Sequence, residues 1–210
     1  MSDITKSINF DKRSLKIINN KLSKNNFNHK NWEDDDLKPL KIIIRKYYRT
    51  IQKGKCAYCK KSISSTSPFN CQVEHIVPKS LHLNFIFTPK NLCVICGDCN
   101  QIKGNQETLV DSKIRKKYPA STNAFKIVHP HFDNYYEHIE IFNNKYYCNK
   151  TPKGHFTIGI CNLNRELQKF GWEIDLVKNL PFNKLVQQYL DEKNISKKVK
   201  NLFKIKNYFT

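Results

Sequence analysis

The sequence predicts an α+β fold in which a small ββα unit, stapled by cysteines, lies between a helical N-terminal segment and a mixed α/β C-terminal segment. Three observations carry this. Two C-x-x-C pairs, Cys56/Cys59 and Cys96/Cys99, bracket the middle of the chain. An apolar stripe at helical spacing precedes them, and short strand-like runs lie between and after them. The expected segments are 1–54, helical; 55–108, the cysteine-bearing core; and 109–210, a β-hairpin plus helices packed on that core.

In the first segment Leu37, Leu40, Ile44, Tyr47 and Ile51 recur at steps of three and four, the core-facing stripe of an amphipathic helix. Asp34, Asp35, Asp36 and Pro39 suit its start, and Arg45, Lys46, Arg49 and Lys53 precede a stop at Gly54. The stretch KLSKNNFNHKN before it is polar and Asn-rich, and reads as a loop.

In the middle segment CQVEHIVP reads as a strand ending before Pro78, LCVIC as a second strand, and CNQIKGNQ as the start of a helix. Paired C-x-x-C spacing is that of a tetrahedral four-thiolate zinc site, closed and therefore structural. Cys93 and Cys96 form a further C-x-x-C, so the second pair is either 96/99 or 93/96. Gly97 permits a knuckle turn and LCVI looks like a strand, which favours 96/99. Cys71, Cys93, Cys148 and Cys161 are then expected to be reduced, partly buried thiols.

In the last segment AFKIVHP reads as a strand, and IEIF and KYYC as a hairpin joined by Asn143 and Asn144, which tolerate positive φ. Leu163, Leu167, Phe170, Ile174 and Val177 mark a helix, and Pro181 opens another bearing Phe182, Leu185, Val186 and Tyr189. His129, His131 and His138 have no cysteine or acid at finger-like spacing, so structural roles are expected for them.

Composition bounds the function. Leu, Ile, Val and Phe make up 58 of 210 residues, enough for a buried core. The 37 Lys and Arg against 18 Asp and Glu give a formal charge of +19, which favours a polyanionic partner, nucleic acid foremost. Part of that excess follows from composition, since 32 Lys stand beside 22 Ile and 24 Asn, all residues of AT-rich codons. No apolar run reaches membrane-span length and the start MSDITKSINF has no apolar signal region, so a cytoplasmic protein is expected.

Residues with chemistry to offer gather around the cysteines. Glu74 and His75 end the first strand, Asn91 precedes the second, and Asn100 follows Cys99 directly. With CAYC, VEHIVPKS and NLCVICGDCNQIKGN in this order, the segment resembles the HNH endonuclease family of ββα-metal nucleases with a zinc-bearing core. That resemblance implies His75 as general base, Asn91 as the middle motif residue bracing the loop and orienting His75, Asn100 at the last motif position, and Glu74 as the acidic neighbour of the base. In-line attack of water on a phosphodiester needs a proton acceptor, and a neutral imidazole suits that at neutral pH.

Developing charge on the phosphate calls for a hard divalent cation, Mg²⁺ or Mn²⁺, for which Glu74 and Asn100 offer oxygen ligands. Glu74 stands where the family often has Asp, and Asn100 where it often has His; both keep an oxygen donor. Neighbouring side chains face opposite sides of a regular strand, so the strand must twist or end at Glu74 and His75. Lys103, one turn beyond Asn100, is expected to meet a phosphate.

Farther on, IVHPHFDNYYEHIEI, TPKGHFTI and NLNRELQ resemble the segment that follows the nuclease motif in HNH effectors of Septu-type and retron-associated anti-phage systems. This implies a DNA-cutting effector that acts with an ATPase partner of the same defence operon. Two other readings compete. A stand-alone restriction or mobile-element HNH nuclease would read its own site, but no second zinc finger or helix-turn-helix pattern is evident for base readout. A non-catalytic zinc nucleic-acid-binding module would not need Glu74, His75 and Asn100 together.

Overall fold

A computed structural model describes residues 2–113, 116–170 and 180–209. The chain divides into two compact units, one formed by Met1–Glu140 and Cys148–Leu163, the other by Ile141–Tyr147 and Asn164–Thr210. The fold is α+β, with the ββα unit where the cysteine pairs foretold it.

Helix α1 (Lys12–Leu22) begins at Asp11, whose carboxylate accepts the backbone N–H of Ser14. Its Lys21 is buried and reaches Asp34 and Asp36, each at 2.6 Å, fastening α1 to the turn before the next helix. Helix α2 (Lys38–Ile51) has Pro39 in its first turn and is followed by Gly54 at φ +67°. Its buried face is Leu40, Ile44 and Tyr48.

Tyr48, and not the expected Tyr47, therefore completes the stripe, because a step of four from Ile44 keeps the core side in register with the preceding step of four. The Tyr48 hydroxyl donates to the Pro89 carbonyl at 2.7 Å and accepts the Ile8 N–H at 3.2 Å, which makes a tyrosine tolerable in the core. Tyr47 is half-buried, its hydroxyl on the carbonyls of Lys6 and Ser7.

Strands β1 (Gln72–His75) and β2 (Leu92–Ile95) pair antiparallel, with Glu74 opposite Cys93 and His75 opposite Leu92. All four residues of β2 are buried, and α2 packs on both strands. Helix α3 (Gly97–Lys103) follows, ended by Gly104 at φ +51°. Gly97 serves closeness, not a left-handed turn: a Cβ there would lie a tight 3.1 Å from the Phe69 carbonyl oxygen.

Past this unit the run AFKIVHP forms no regular strand. Phe125 makes one isolated bridge to Leu109, and the N–H of Val128 is taken by the Thr157 hydroxyl at 2.8 Å. Phe125, Ile127, Val128 and His129 are all buried, so the apolar run marks burial without a ladder. Helix α4 (Tyr135–His138) leads into β3 (Ile139–Phe142) and β4 (Tyr146–Asn149), joined as expected through Asn143 and Asn144 at φ +51° and +54°. Helix α5 (Pro152–Ile160) completes the first unit.

The second unit holds α6 (Arg165–Phe170), α7 (Leu180–Asp191) and α8 (Ile195–Lys206). Its core is Tyr146, Phe182 and Ile205, flanked by Leu167, Leu185, Val186 and Tyr189. Ile174 and Val177 of the expected helical stripe lie outside the described residues. Among the described residues no helix is long and apolar enough to cross a membrane.

Candidate active site

The cysteine knuckles come first, because they set the backbone on which the other groups hang. Cys56, Cys59, Cys96 and Cys99 are buried, with their sulfurs all within 4.8 Å of one another. A tetrahedron of Zn–S bonds of about 2.3 Å puts neighbouring sulfurs about 3.8 Å apart; Cys59 and Cys96 stand at 3.7 Å. The donors and their spacing fit a closed four-thiolate metal site. Cys93 is outside the cluster, on β2 across from Glu74. A strand residue there points away from the knuckle, which leaves 96/99 as the second pair.

β1 ends at His75, and with the strand ending there both Glu74 and His75 line a single cavity of about 380 Å³ together with Asn100. The His75 ring is 5% exposed and meets Trp32 edge-on, ring centroids 4.5 Å apart. Its Nε2 lies 2.9 Å from the carbonyl oxygen of Ile86. A carbonyl only accepts, so Nε2 carries the hydrogen and Nδ1 keeps its lone pair. Burial, reinforced by the charges of Lys79 and Lys103, lowers the pKa of His75 to about 3, so the ring is neutral at physiological pH.

Asn100 donates its amide nitrogen to Gln72 Oε1, whose own amide is held on the Phe69 carbonyl at 3.1 Å. This leaves Asn100 Oδ1 as a free acceptor. Glu74 Oε1 takes Lys103 Nζ at 2.5 Å and the Tyr58 hydroxyl at 3.4 Å, while Oε2 has no partner among the described residues. One carboxylate and one amide oxygen on the same cavity are the hard donors that Mg²⁺ or Mn²⁺ takes.

Lys103 departs from expectation. It is 1% exposed, its ammonium held by Glu74 and, at 3.2 Å, by the His75 carbonyl. The face it shares with Asn100 turns inward at this position, which commits the ammonium to Glu74 and the His75 carbonyl.

Asn91 is fully buried and spans the loop after β1. Its Oδ1 accepts the Val77 N–H at 2.7 Å, and its Nδ2 donates to the carbonyls of Val77 and Phe85, each at 3.1 Å. Those bonds fix the loop that presents the Ile86 carbonyl to His75. The Tyr118 hydroxyl adds a donor to Asn91 Oδ1 at 3.2 Å and receives His129 Nε2–H at 2.9 Å. His129 Nδ1 in turn accepts the His131 N–H at 3.2 Å. His129 is thus a hydrogen-bonded core residue, and the half-buried His131 is tied to it.

Sequence reasoning missed Trp32, Tyr118, Arg45 and Lys79. The first three lie outside the motif in sequence and reach it only through the fold. Lys79 stands in VEHIVPKS, four residues past His75, and that placement was its signal.

Residues 56–106 match the family model described as HNH endonuclease. The chain is 32% identical over 114 residues to the Septu protein PtuB of Bacillus thuringiensis. That alignment takes in 53% of this chain and 37% of the relative, so the chain spans little more than a third of the protein it resembles. No solved structure matches.

Proposed function

We propose that the chain is a metal-dependent endonuclease that hydrolyses phosphodiester bonds of DNA in the cytoplasm, as the effector nuclease of an anti-phage defence system with an ATPase partner. The observation that carries the nuclease reading is the His75 imidazole, neutral, with Nε2 committed to Ile86 and Nδ1 left to accept a proton, in one cavity with two hard oxygen donors. The defence role rests on the likeness to the Septu protein.

In this reading His75 Nδ1 takes a proton from water as its oxygen attacks phosphorus in line; the P–O3′ bond breaks, O3′ takes a proton from solvent water, and His75 returns its proton to solvent, leaving a 5′-phosphate and a 3′-hydroxyl. Glu74 Oε2 and Asn100 Oδ1 would hold the divalent cation, which supplies charge neutralisation at the phosphate and the departing oxygen. Lys103 fixes the Glu74 carboxylate by its other oxygen. Asn91 keeps the Ile86 carbonyl in place and so holds the base in the required tautomer. The four cysteines would hold a zinc ion that anchors the first turn of α3, where Cys99 directly precedes Asn100.

The test is to incubate the purified chain with labelled duplex DNA, single-stranded DNA and RNA, with Mg²⁺ or Mn²⁺, and to identify the product ends. Cleavage that leaves 5′-phosphates supports the reading. Absence of cleavage of all three substrates, with the ATPase partner present as well, contradicts it.

A further inference from the structure

The cavity that holds Glu74, His75 and Asn100 is also lined by three cations, Lys41, Arg45 and Lys79. They are not equivalent. Lys41 is engaged by Glu33 at 3.0 Å. Lys79 has no hydrogen-bond or ion-pair partner among the described residues, although it is half-buried. Arg45, on α2, donates Nε to the Cys71 carbonyl at 2.8 Å, which orients its guanidinium and leaves both Nη groups without a partner among the described residues.

Burial lowers the pKa of both Lys79 and Arg45, so each holds its charge against a desolvation cost that the surrounding protein does not fully offset. Glu33 and Glu74, on the same cavity, act on Lys79 through their charge, but among the described residues neither is within ion-pair distance of it, so its half-buried ammonium on the cavity wall is open to an anion. A guanidinium fixed through Nε presents a planar fork that matches two oxygens of a phosphate.

We propose that Lys79 and Arg45 are the phosphate-binding groups of this cavity and hold a nucleic-acid backbone across His75. This rests on the nuclease reading and extends it, since it moves the phosphate contact from Lys103 to two residues, one of them outside the matched domain. It also makes α2 part of the substrate-binding surface, so the matched domain alone carries only part of it.

The experiment measures binding of a short fluorescein-labelled DNA duplex by fluorescence anisotropy, without added divalent cation, between about 50 and 200 mM salt. The full chain is compared with Lys79→Met, Lys79→Arg and Arg45→Met, each checked for zinc content and melting temperature. Lys79→Met removes no hydrogen bond or ion pair among the described residues, so it is the decisive variant.

Expected are a five- to tenfold loss of affinity in each Met variant and a fall of about 0.9 in the slope of log K against log salt for each phosphate contact removed. Lys79→Arg should restore the slope. Wild-type binding with an unchanged slope in Lys79→Met and Arg45→Met overturns the inference and leaves the nuclease reading standing. No binding of duplex, single-stranded DNA or RNA by the wild type would overturn both.

Discussion

His75 Nε2 lies 2.9 Å from the carbonyl oxygen of Ile86, and this bond decides which nitrogen of the imidazole is free to act. The bond is held from behind by Asn91, which ties Val77 and Phe85 on either side of the intervening loop. Removing the imidazole should therefore abolish chemistry without removing the groups that bind substrate. His75→Ala is expected to lower cleavage by about 10²- to 10⁴-fold with duplex affinity unchanged, read by nicking rate and anisotropy on one preparation. A parallel loss of both would assign His75 to binding.

Asn91 supports that geometry with its whole hydrogen-bonding capacity, and none of it is exposed. Asn91→Ala takes the partner from the Val77 N–H and the Val77 carbonyl in the interior, while the Phe85 carbonyl keeps the Thr88 N–H. A loss of about 2–4 kcal/mol is expected in denaturant unfolding. Tyr118→Phe removes one donor to the same oxygen and should cost about 1 kcal/mol. Equal stability of Asn91→Ala and wild type would show that the loop is held by something else.

The buried pair of Lys103 and Glu74 makes a distinguishable claim. Truncating the lysine strands a carboxylate that is 6% exposed, so Lys103→Met should destabilise the chain by about 3 kcal/mol or more. Adding Glu74→Leu removes the stranded charge and should recover much of that loss in a double-mutant cycle. Additive losses would mean that the two side chains do not depend on each other.

Zinc content separates the cysteines. Cys56→Ser and Cys96→Ser should lose bound metal and melt at lower temperature, whereas Cys93→Ser should keep one zinc per chain, as measured by atomic emission. Metal loss from Cys93→Ser alone would reverse the assignment.

Acid should unfold the protein through buried histidines. Burial lowers the pKa of His131 to about 4 and holds His129 well below its ordinary value, with Lys90 acting in the same direction on both. Both are therefore neutral when folded and take up a proton on unfolding. Their contribution is fully present above pH 6.5 and is lost as pH falls toward about 4, by about 3 kcal/mol for His131. His131→Gln keeps an N–H for the Leu92 carbonyl but cannot take up a proton, so its melting temperature should fall less steeply over that window. Identical pH profiles would remove His131 from the account.

What the sequence revealed follows a physical rule. The cysteine pairs, the two strands and the start of α3 were legible because metal geometry and strand ends impose local spacing, and Asn143–Asn144 because a tight hairpin needs positive φ. Tyr48 was not separable from Tyr47, since adjacent aromatic residues both fit a 3.6-residue period until a core exists to choose between them. AFKIVHP looked like a strand because continuous apolarity reports burial, and burial needs no ladder partner. Lys103 looked like a phosphate ligand because helical spacing places it near Asn100 but is silent on whether that face is covered. Trp32 and Tyr118 act on His75 and Asn91 across dozens of residues, and no local pattern encodes such contacts.

The most direct test of the central claim is nicking of supercoiled plasmid by the full chain with Mg²⁺ or Mn²⁺, beside His75→Ala and an EDTA control. The account expects nicking by the wild type alone, with the variant folded, zinc-loaded and inactive. Nicking by His75→Ala at the wild-type rate would contradict it, because the neutral, oriented imidazole would then have no part in the reaction.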